Sequence, residues 1–358
     1  TNSVKVTVIN FDPGSISADQ TICESSVPVP LTSVTPTGDG SFTYQWYESS
    51  NGTLFTTIAG AVYETYSPLP LTADKWFRRE VLSTLNGTTC SDTTARIKIT
   101  VNNFNPGSIS GDVTICEGEI PAALGSVAPT GDGTSYAYQW KYSTDGVNFL
   151  NITGADLATF APGALTQDTW YKRMVTSTLG TNTCTEETNS VKITVNNVNP
   201  GTIISDQTIC IGSDPVTFWS VVHGTGDGDI TYQWQSSTDN ITFSDISGAD
   251  AAAYDAPPIS VDTWYKRITK SLLDGVECTK ESNVVKITVN NVAGGTIASD
   301  QTICFGSTPD PFTSPDDGSG TGTVSYQWLS SGDNVIFSTI PGANLETYTP
   351  GVHVVDTY

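Results

Sequence analysis

Tyr138-Gln139-Trp140 is the stretch that decides the fold. It returns as Tyr44-Gln45-Trp46, Tyr232-Gln233-Trp234 and Tyr326-Gln327-Trp328, each copy 94 residues from the next. A Trp held at one place in every unit reads as a core anchor, because a buried indole removes more apolar surface from water than almost any other side chain. The cysteines keep the same period. Cys23, Cys116, Cys210 and Cys304 are spaced by 93, 94 and 94, and Cys90, Cys184 and Cys278 by 94 and 94. That period exceeds the ~20–50 residues of a solenoid repeat. It suits an independent domain of ~100 residues with its own core, and 358 residues exceed what one core of ~250–300 residues organises.

Around the anchor, turn residues fall every 8–12 positions with short alternating runs between them, the signature of an all-β sandwich or barrel. In the second unit the alternation predicts an opening strand over 108–116, broken at Gly111-Asp112, and a second strand over 120–127. A central strand follows over 135–143, with Tyr138 and Trp140 inward, and a short strand over 157–162. A long strand is expected over 169–178 and a closing strand over 190–195, with 181–184 in a loop. In the closing strand Val191, Ile193 and Val195 share one face, Lys192 and Thr194 the other. About seven strands in ~100 residues fit an immunoglobulin-like two-sheet sandwich. The Trp residues at 46/76, 140/170, 234/264 and 328 are assigned to its cores.

Boundaries follow the repeat. Residues 1–10 read as the last strand of a preceding repeat, since Ser3-Val4-Lys5-Val6-Thr7-Val8 matches Ser190-Val191-Lys192-Ile193-Thr194-Val195. Repeats are then expected over 11–103, 104–197, 198–291 and 292–358, the last one breaking off within its repeat. The chain thus reads as a window on a longer repetitive protein. Junctions such as Asn102-Asn103-Phe104-Asn105-Pro106-Gly107 are short, which predicts neighbouring repeats in contact and a semi-rigid rod.

Within a unit the two cysteines are 67 or 68 residues apart, which predicts one disulfide per repeat: Cys23–Cys90, Cys116–Cys184 and Cys210–Cys278, with the partner of Cys304 past the last residue. Closing such a loop stabilises a domain by roughly 4 kcal/mol. Disulfides of this kind belong to an oxidising compartment or the cell exterior. A zinc thiolate site would want close Cys/His pairs, and the spacing offers none.

A formal charge of −22 argues against nucleic acid or anionic lipid as partner. The apolar runs are too short to form a membrane-spanning helix. His223 and His353 occupy non-equivalent places, so no nucleophile–base pair recurs, and no P-loop, dinucleotide or zinc-protease motif is present. The chain therefore reads as a non-enzyme without a cofactor. The one candidate for bound chemistry is calcium at Asp39, Asp132 and Asp227, each in a Gly-Asp-Gly turn. Asp145, Asp239 and Asp333, and the Asp before each long strand, join the same weighing; the competing reading is plain turn chemistry. Asp168 and Arg173 form a candidate ion pair, and Asn51, Asn86, Asn151 and Asn240 lie in glycosylation sequons.

An early Cys, Tyr-Gln-Trp, a Gly-Ala bend, Trp-Tyr-Lys-Arg, a second Cys and Val-Lys-Ile-Thr-Val recur in order. This pattern resembles the immunoglobulin-like repeats of giant cell-surface adhesins of Bacteroidota, including the SprB-type gliding adhesins. The resemblance implies export by the type 9 secretion system and display as surface filaments that serve adhesion and gliding motility. Its implied partners are neighbouring repeats, surface glycans or the substratum, and the motility and secretion machinery through regions outside these residues. A structural subunit of an extracellular fibre and a glycan-binding module of a secreted protein are the alternatives.

Overall fold

The computed structural model describes residues 2–298 and 300–358. It divides into two compact units, Thr1–Val195 and Asn196–Tyr358. Every assigned element is a β-strand.

The first repeat shows the plan. One sheet runs in the order Gln20–Cys23, Ile97–Asn102, Lys75–Leu85, Ser41–Ser49, Thr56–Thr57. The opening strand Gln20–Cys23 lies parallel to the closing strand Ile97–Asn102, with Cys23 opposite Asn102. The remaining pairings of this sheet are antiparallel. A thinner second layer is made by Ser15–Ile16 against Ser33–Val34 and by single bridges Ser26–Leu71 and Leu31–Tyr66. An opening strand parallel to the closing one, and a second layer closing over the inner face, make this repeat an immunoglobulin-like sandwich. The same sheet order recurs in the second and third repeats.

The layers meet on the repeated Trp. Trp46, Trp140 and Trp234 are fully buried, each with an aromatic ring 5.5–5.7 Å away: Tyr66, Phe160 and Phe218. Each indole Nε1 donates to a backbone carbonyl: Tyr63 at 2.9 Å, Leu157 at 2.9 Å and Ala251 at 3.0 Å. The preceding Gln donates its side-chain amide across the bend, to Ile58, Ile152 and Ile246 carbonyls at 2.8, 2.9 and 2.9 Å. Tyr-Gln-Trp and the Gly-Ala bend are thus one interlocked device.

Five expectations change. The short strand expected over 157–162 is irregular backbone, tied to the opposite chain by the Leu124 N–H donating to the Phe160 carbonyl at 3.0 Å. Trp76, Trp170 and Trp264 are only half-buried. Neighbours on a strand face opposite ways, and the inward place goes to Phe77, Tyr171 and Tyr265. The outward indoles instead carry the ammonium groups of Lys98, Lys192 and Lys286 at 4.9–5.1 Å. Trp328 is half-buried too, in the stretch with the fewest strand pairs. The expected loop around Cys184 is a strand, Asn182–Glu187, hairpinned onto Thr169–Leu179. The expected strand over 120–127 shortens to Gly125–Ser126, because Pro121 has no N–H to give a ladder.

Candidate functional site: the joint between repeats

The two cysteines of one repeat cannot meet. Cys23 ends the opening strand, opposite Asn102, whereas Cys90 lies opposite Ser83. Ile99 pairs with Lys75 at the start of the long strand Lys75–Leu85, so Asn102 and Cys23 lie beyond that start and Cys90 near the far end. Some eleven residues at ~3.3 Å each separate the two levels, roughly 35 Å. A disulfide tolerates Cα atoms no more than ~7 Å apart.

The bond that forms joins Cys23 to Cys184, 161 residues on and one repeat further along. Cys90 is a free thiol, as are the exposed Cys210 and Cys304. Cys116 and Cys278 are disulfide-bonded. This overturns the expected Cys23–Cys90, Cys116–Cys184 and Cys210–Cys278 pairing. Opposite poles of one sandwich carry its two sulfurs, so each pole offers its sulfur to a neighbour.

Around Cys23–Cys184 the joint is built from register partners. Asn102, opposite Cys23, exchanges two hydrogen bonds with Ser177, which is opposite Cys184. Ser177 Oγ donates to Asn102 Oδ1 at 3.0 Å, and Asn102 Nδ2 donates to the Ser177 carbonyl at 3.3 Å. Both side chains are buried, and mutual satisfaction is what lets a polar pair sit there. A sulfur link and an amide–hydroxyl link thus run side by side. In the second unit Asn196 and Ser271 repeat the clamp: Ser271 Oγ donates at 2.7 Å, and Asn196 Nδ2 reaches the Ser271 carbonyl at 2.8 Å and that of Val276 at 3.1 Å. Nothing in the sequence pattern flagged these pairs beyond the recurrence of Asn-Asn after each closing strand.

The linker is pinned next to the clamp. Asp132 Oδ2 accepts the Asn103 N–H at 3.3 Å, and the Asp132 N–H donates to the Asn103 carbonyl at 2.8 Å. Asp39 takes the N–H of Asn10 at 3.2 Å, and Asp227 that of Asn197 at 2.8 Å. The three calcium candidates are therefore linker clasps, one in each of the first three repeats and each committed to a backbone donor. Gly131 makes the close approach possible: its φ is +136°, and a Cβ there would stand 2.3 Å from the Asn103 carbonyl oxygen. The ring of Phe104 lies 6.2 Å from Tyr136 across the same corner.

The other acidic candidates are placed as simply. Asp145 Oδ1 accepts the N–H of Val147 and Asn148 at 2.8 and 2.7 Å; Asp239 does the same for Ile241 and Thr242, both at 2.8 Å. Backbone donors hold the Asp145 carboxyl well below the usual range and that of Asp239 down to about 2. Asn51 fills the same turn in the first repeat, accepting from Thr53 and Leu54. Asp168 does not pair with Arg173. It binds Lys192 at 2.7 Å and the Val195 N–H at 2.8 Å, as Asp74 and Asp262 bind Lys98 and Lys286. Among the described residues, no three His, Cys, Asp or Glu side chains come together in a metal-binding group. His223 is exposed, and His353 Nδ1 lies 3.2 Å from Thr357 Oγ1.

Arg173 is fully buried, as are Arg79 and Arg267. Its guanidinium donates to Ser126 Oγ and to the carbonyls of Ala158, Val127 and Pro106 at 2.8, 2.9 and 3.0 Å. It sits 5.0 Å from the Tyr138 ring. Burial pulls its pKa down; the cage takes four bonds from the two terminal nitrogens, while the buried Nε has no hydrogen-bond partner. Each such Arg binds the start of its repeat, the Pro carbonyl after the linker, to the long strand.

A family model described as "Domain of unknown function (DUF8696)" matches residues 12–103, 105–197, 199–291 and 293–358, and the chain belongs to that family, in four tandem copies. No curated protein sequence matches it. Among solved structures it is similar to the three N-terminal domains of the bacteriophage RB49 Highly Immunogenic Outer Capsid protein, at 13% identity and TM-score 0.34, over 79% of this chain and 99% of that one. It is also similar to extracellular domains 3–5 of Drosophila OTK, at 13% identity and TM-score 0.28, over 78% and 97%. A third likeness is to immunoglobulin domains 1–4 of Sidekick-1, at 10% identity and TM-score 0.24, over 95% and 91%.

Proposed function

We propose that this chain is a non-catalytic, load-bearing spacer of a bacterial cell-surface protein, holding a more distal binding element away from the cell. The observation that carries the reading is the Cys23–Cys184 bond, which fastens one repeat to the next instead of closing a single fold. A covalent tie at a joint serves a chain that must transmit force. A disulfide persists in an oxidising, extracellular setting. The net charge of −22 supports the same reading, because like-charged filaments repel one another laterally and stay dispersed.

The finer reading is a stalk of the SprB type, exported by the type 9 secretion system, presented on gliding Bacteroidota and engaging glycans or other features of the substratum. The recurrent motif order supports it. The test is antibody labelling of intact cells with serum raised against residues 1–358, with and without surface proteolysis. Surface label that protease removes, and loss of adhesion or gliding when the gene is deleted, are expected. A protease-resistant signal confined to the cytoplasm would overturn the assignment.

A further inference from the structure

Seven of the eight Trp fall at recurring positions; Trp219 does not. It stands between the buried Phe218 and Ser220, whose hydroxyl accepts from the buried Arg267. Alternation therefore turns Trp219 outward, and it is 53% exposed. Phe218 and Tyr254 exchange two backbone hydrogen bonds, at 2.7 and 2.9 Å, which sets Thr217 opposite Asp255 and Trp219 diagonal to it on the same outer face. Diagonal neighbours lie about 7–8 Å apart, within reach of an aromatic side chain. Thr217 Oγ1 donates to Asp255 Oδ1 at 2.9 Å and holds the exposed carboxylate on that face.

The other repeats carry none of these three residues. Their places are held by Pro30, Thr32 and Ser67 in the first repeat, where Leu31 bridges Tyr66. In the second they are Ala123, Gly125 and Ala161, around the Leu124–Phe160 contact, and in the fourth Pro311, Thr313 and Thr349, around Phe312–Tyr348. The sandwich thus needs no indole, acid or hydroxyl here, yet all three departures meet at one spot. The other outward indoles show what such a pair binds. Trp76, Trp170 and Trp264 each carry a Lys ammonium at 4.9–5.1 Å, and that ammonium also binds an Asp at 2.6–2.8 Å. Trp219 and Asp255 supply two parts of this triad. Residues 198–259 hold eight Asp and no Lys or Arg. The ring-facing cations of this repeat stand over Phe243, Tyr232, Trp234 and Trp264, and among the described residues none stands over Trp219.

We propose that Trp219 and Asp255 form a docking site for a Lys side chain of a basic partner protein. The ammonium lies on the indole face and takes the Asp255 oxygen that Thr217 leaves open, while the exposed Val221 on the same face covers its stem. Charge complementarity sets the occupant: an acidic face with an open indole selects a cation and disfavours a second copy of this chain, whose charge is −22.

The inference goes beyond the spacer reading and is tested on the purified chain. The isotope-labelled protein is titrated with acetyl-Leu-Lys-Leu amide at physiological ionic strength, and its indole N–H resonances are followed by NMR. The Trp219 resonance is the one absent from Trp219→Thr. It should shift saturably, while those of the buried Trp46, Trp140 and Trp234 stay still. Leu-Gln-Leu should not move it, and Asp255→Ser should weaken the Lys peptide about tenfold. Both variants install the residue that the first repeat uses at that place, so the sandwich is retained. An equal shift with the Gln peptide would overturn the proposal in favour of a plain apolar patch. So would an Asp255→Ser chain that binds as tightly as wild type, or a shift spread over every indole alike. A neutral oligosaccharide, cellohexaose, that moves Trp219 where the Lys peptide does not would overturn it in favour of a sugar platform.

Discussion

Trp140 was legible in the sequence because its recurrence has one physical use. Its neighbour Gln139 was not, since a strand amide next to an inward residue reads as solvent-facing. In the structure that amide spans the bend to Ile152, so the pair acts as one lock. Trp140→Ala empties a fully buried site and should cost about 3–5 kcal/mol, read as a shift in the urea midpoint. Arg173 is the reverse case: a cation at a core position with carbonyls in place of a carboxylate. Arg173→Lys keeps the charge but cannot reach Ser126, Ala158 and Val127 together, and should cost on the order of 2–3 kcal/mol in the same assay. Acid sensitivity also belongs to single residues. The folded pKa of Asp239 is depressed to about 2, below the ~3.9 of an unfolded Asp. Its contribution to stability is therefore full above roughly pH 4 and lost as pH falls through about 2. Asp239→Asn, which copies the turn Asn51 already makes, should fold normally and flatten the fall of the thermal midpoint between pH 4 and 2.

At the scale of elements, the central strand Ser135–Ser143 and the closing strand Val191–Asn196 were readable from alternation alone. Asn182–Glu187 was not. Its residues are polar or small, four of the six are exposed, and Gly180 before it reads as a loop, so no apolar period marks it. Its partner strand supplies the register instead. Trp170 was assigned to the core where Tyr171 is found, for a related reason: two large rings in sequence leave parity undecided until the opposite layer chooses one. The Gly-Asp-Gly turns were legible as turns, while their grip on the linker was a long-range contact that no local pattern encodes. Gly131→Ala forces a Cβ against the Asn103 carbonyl in a left-handed backbone. It should loosen this corner, seen as faster amide exchange at Asn103 and Asp132, with the Trp140 fluorescence of the folded core retained.

For the whole molecule, the cysteine period was readable and the connectivity was not. A spacing of 67 or 68 residues inside each repeat and one of 161 between repeats come from the same period, so counting cannot choose between them. The parallel opening strand chooses, by carrying one sulfur to the pole opposite the other. A loop of 161 residues stabilises the first unit by up to about 5 kcal/mol in the chain-entropy model, so reductant should lower its urea midpoint. The most direct test is a non-reducing tryptic map of the oxidised chain, with free thiols alkylated first. The peptide spanning 6–75, which carries Cys23, should be recovered linked to the peptide spanning 174–192, which carries Cys184, with Cys90 alkylated. Recovery of 6–75 linked instead to 80–96, through Cys23 and Cys90, would contradict the account.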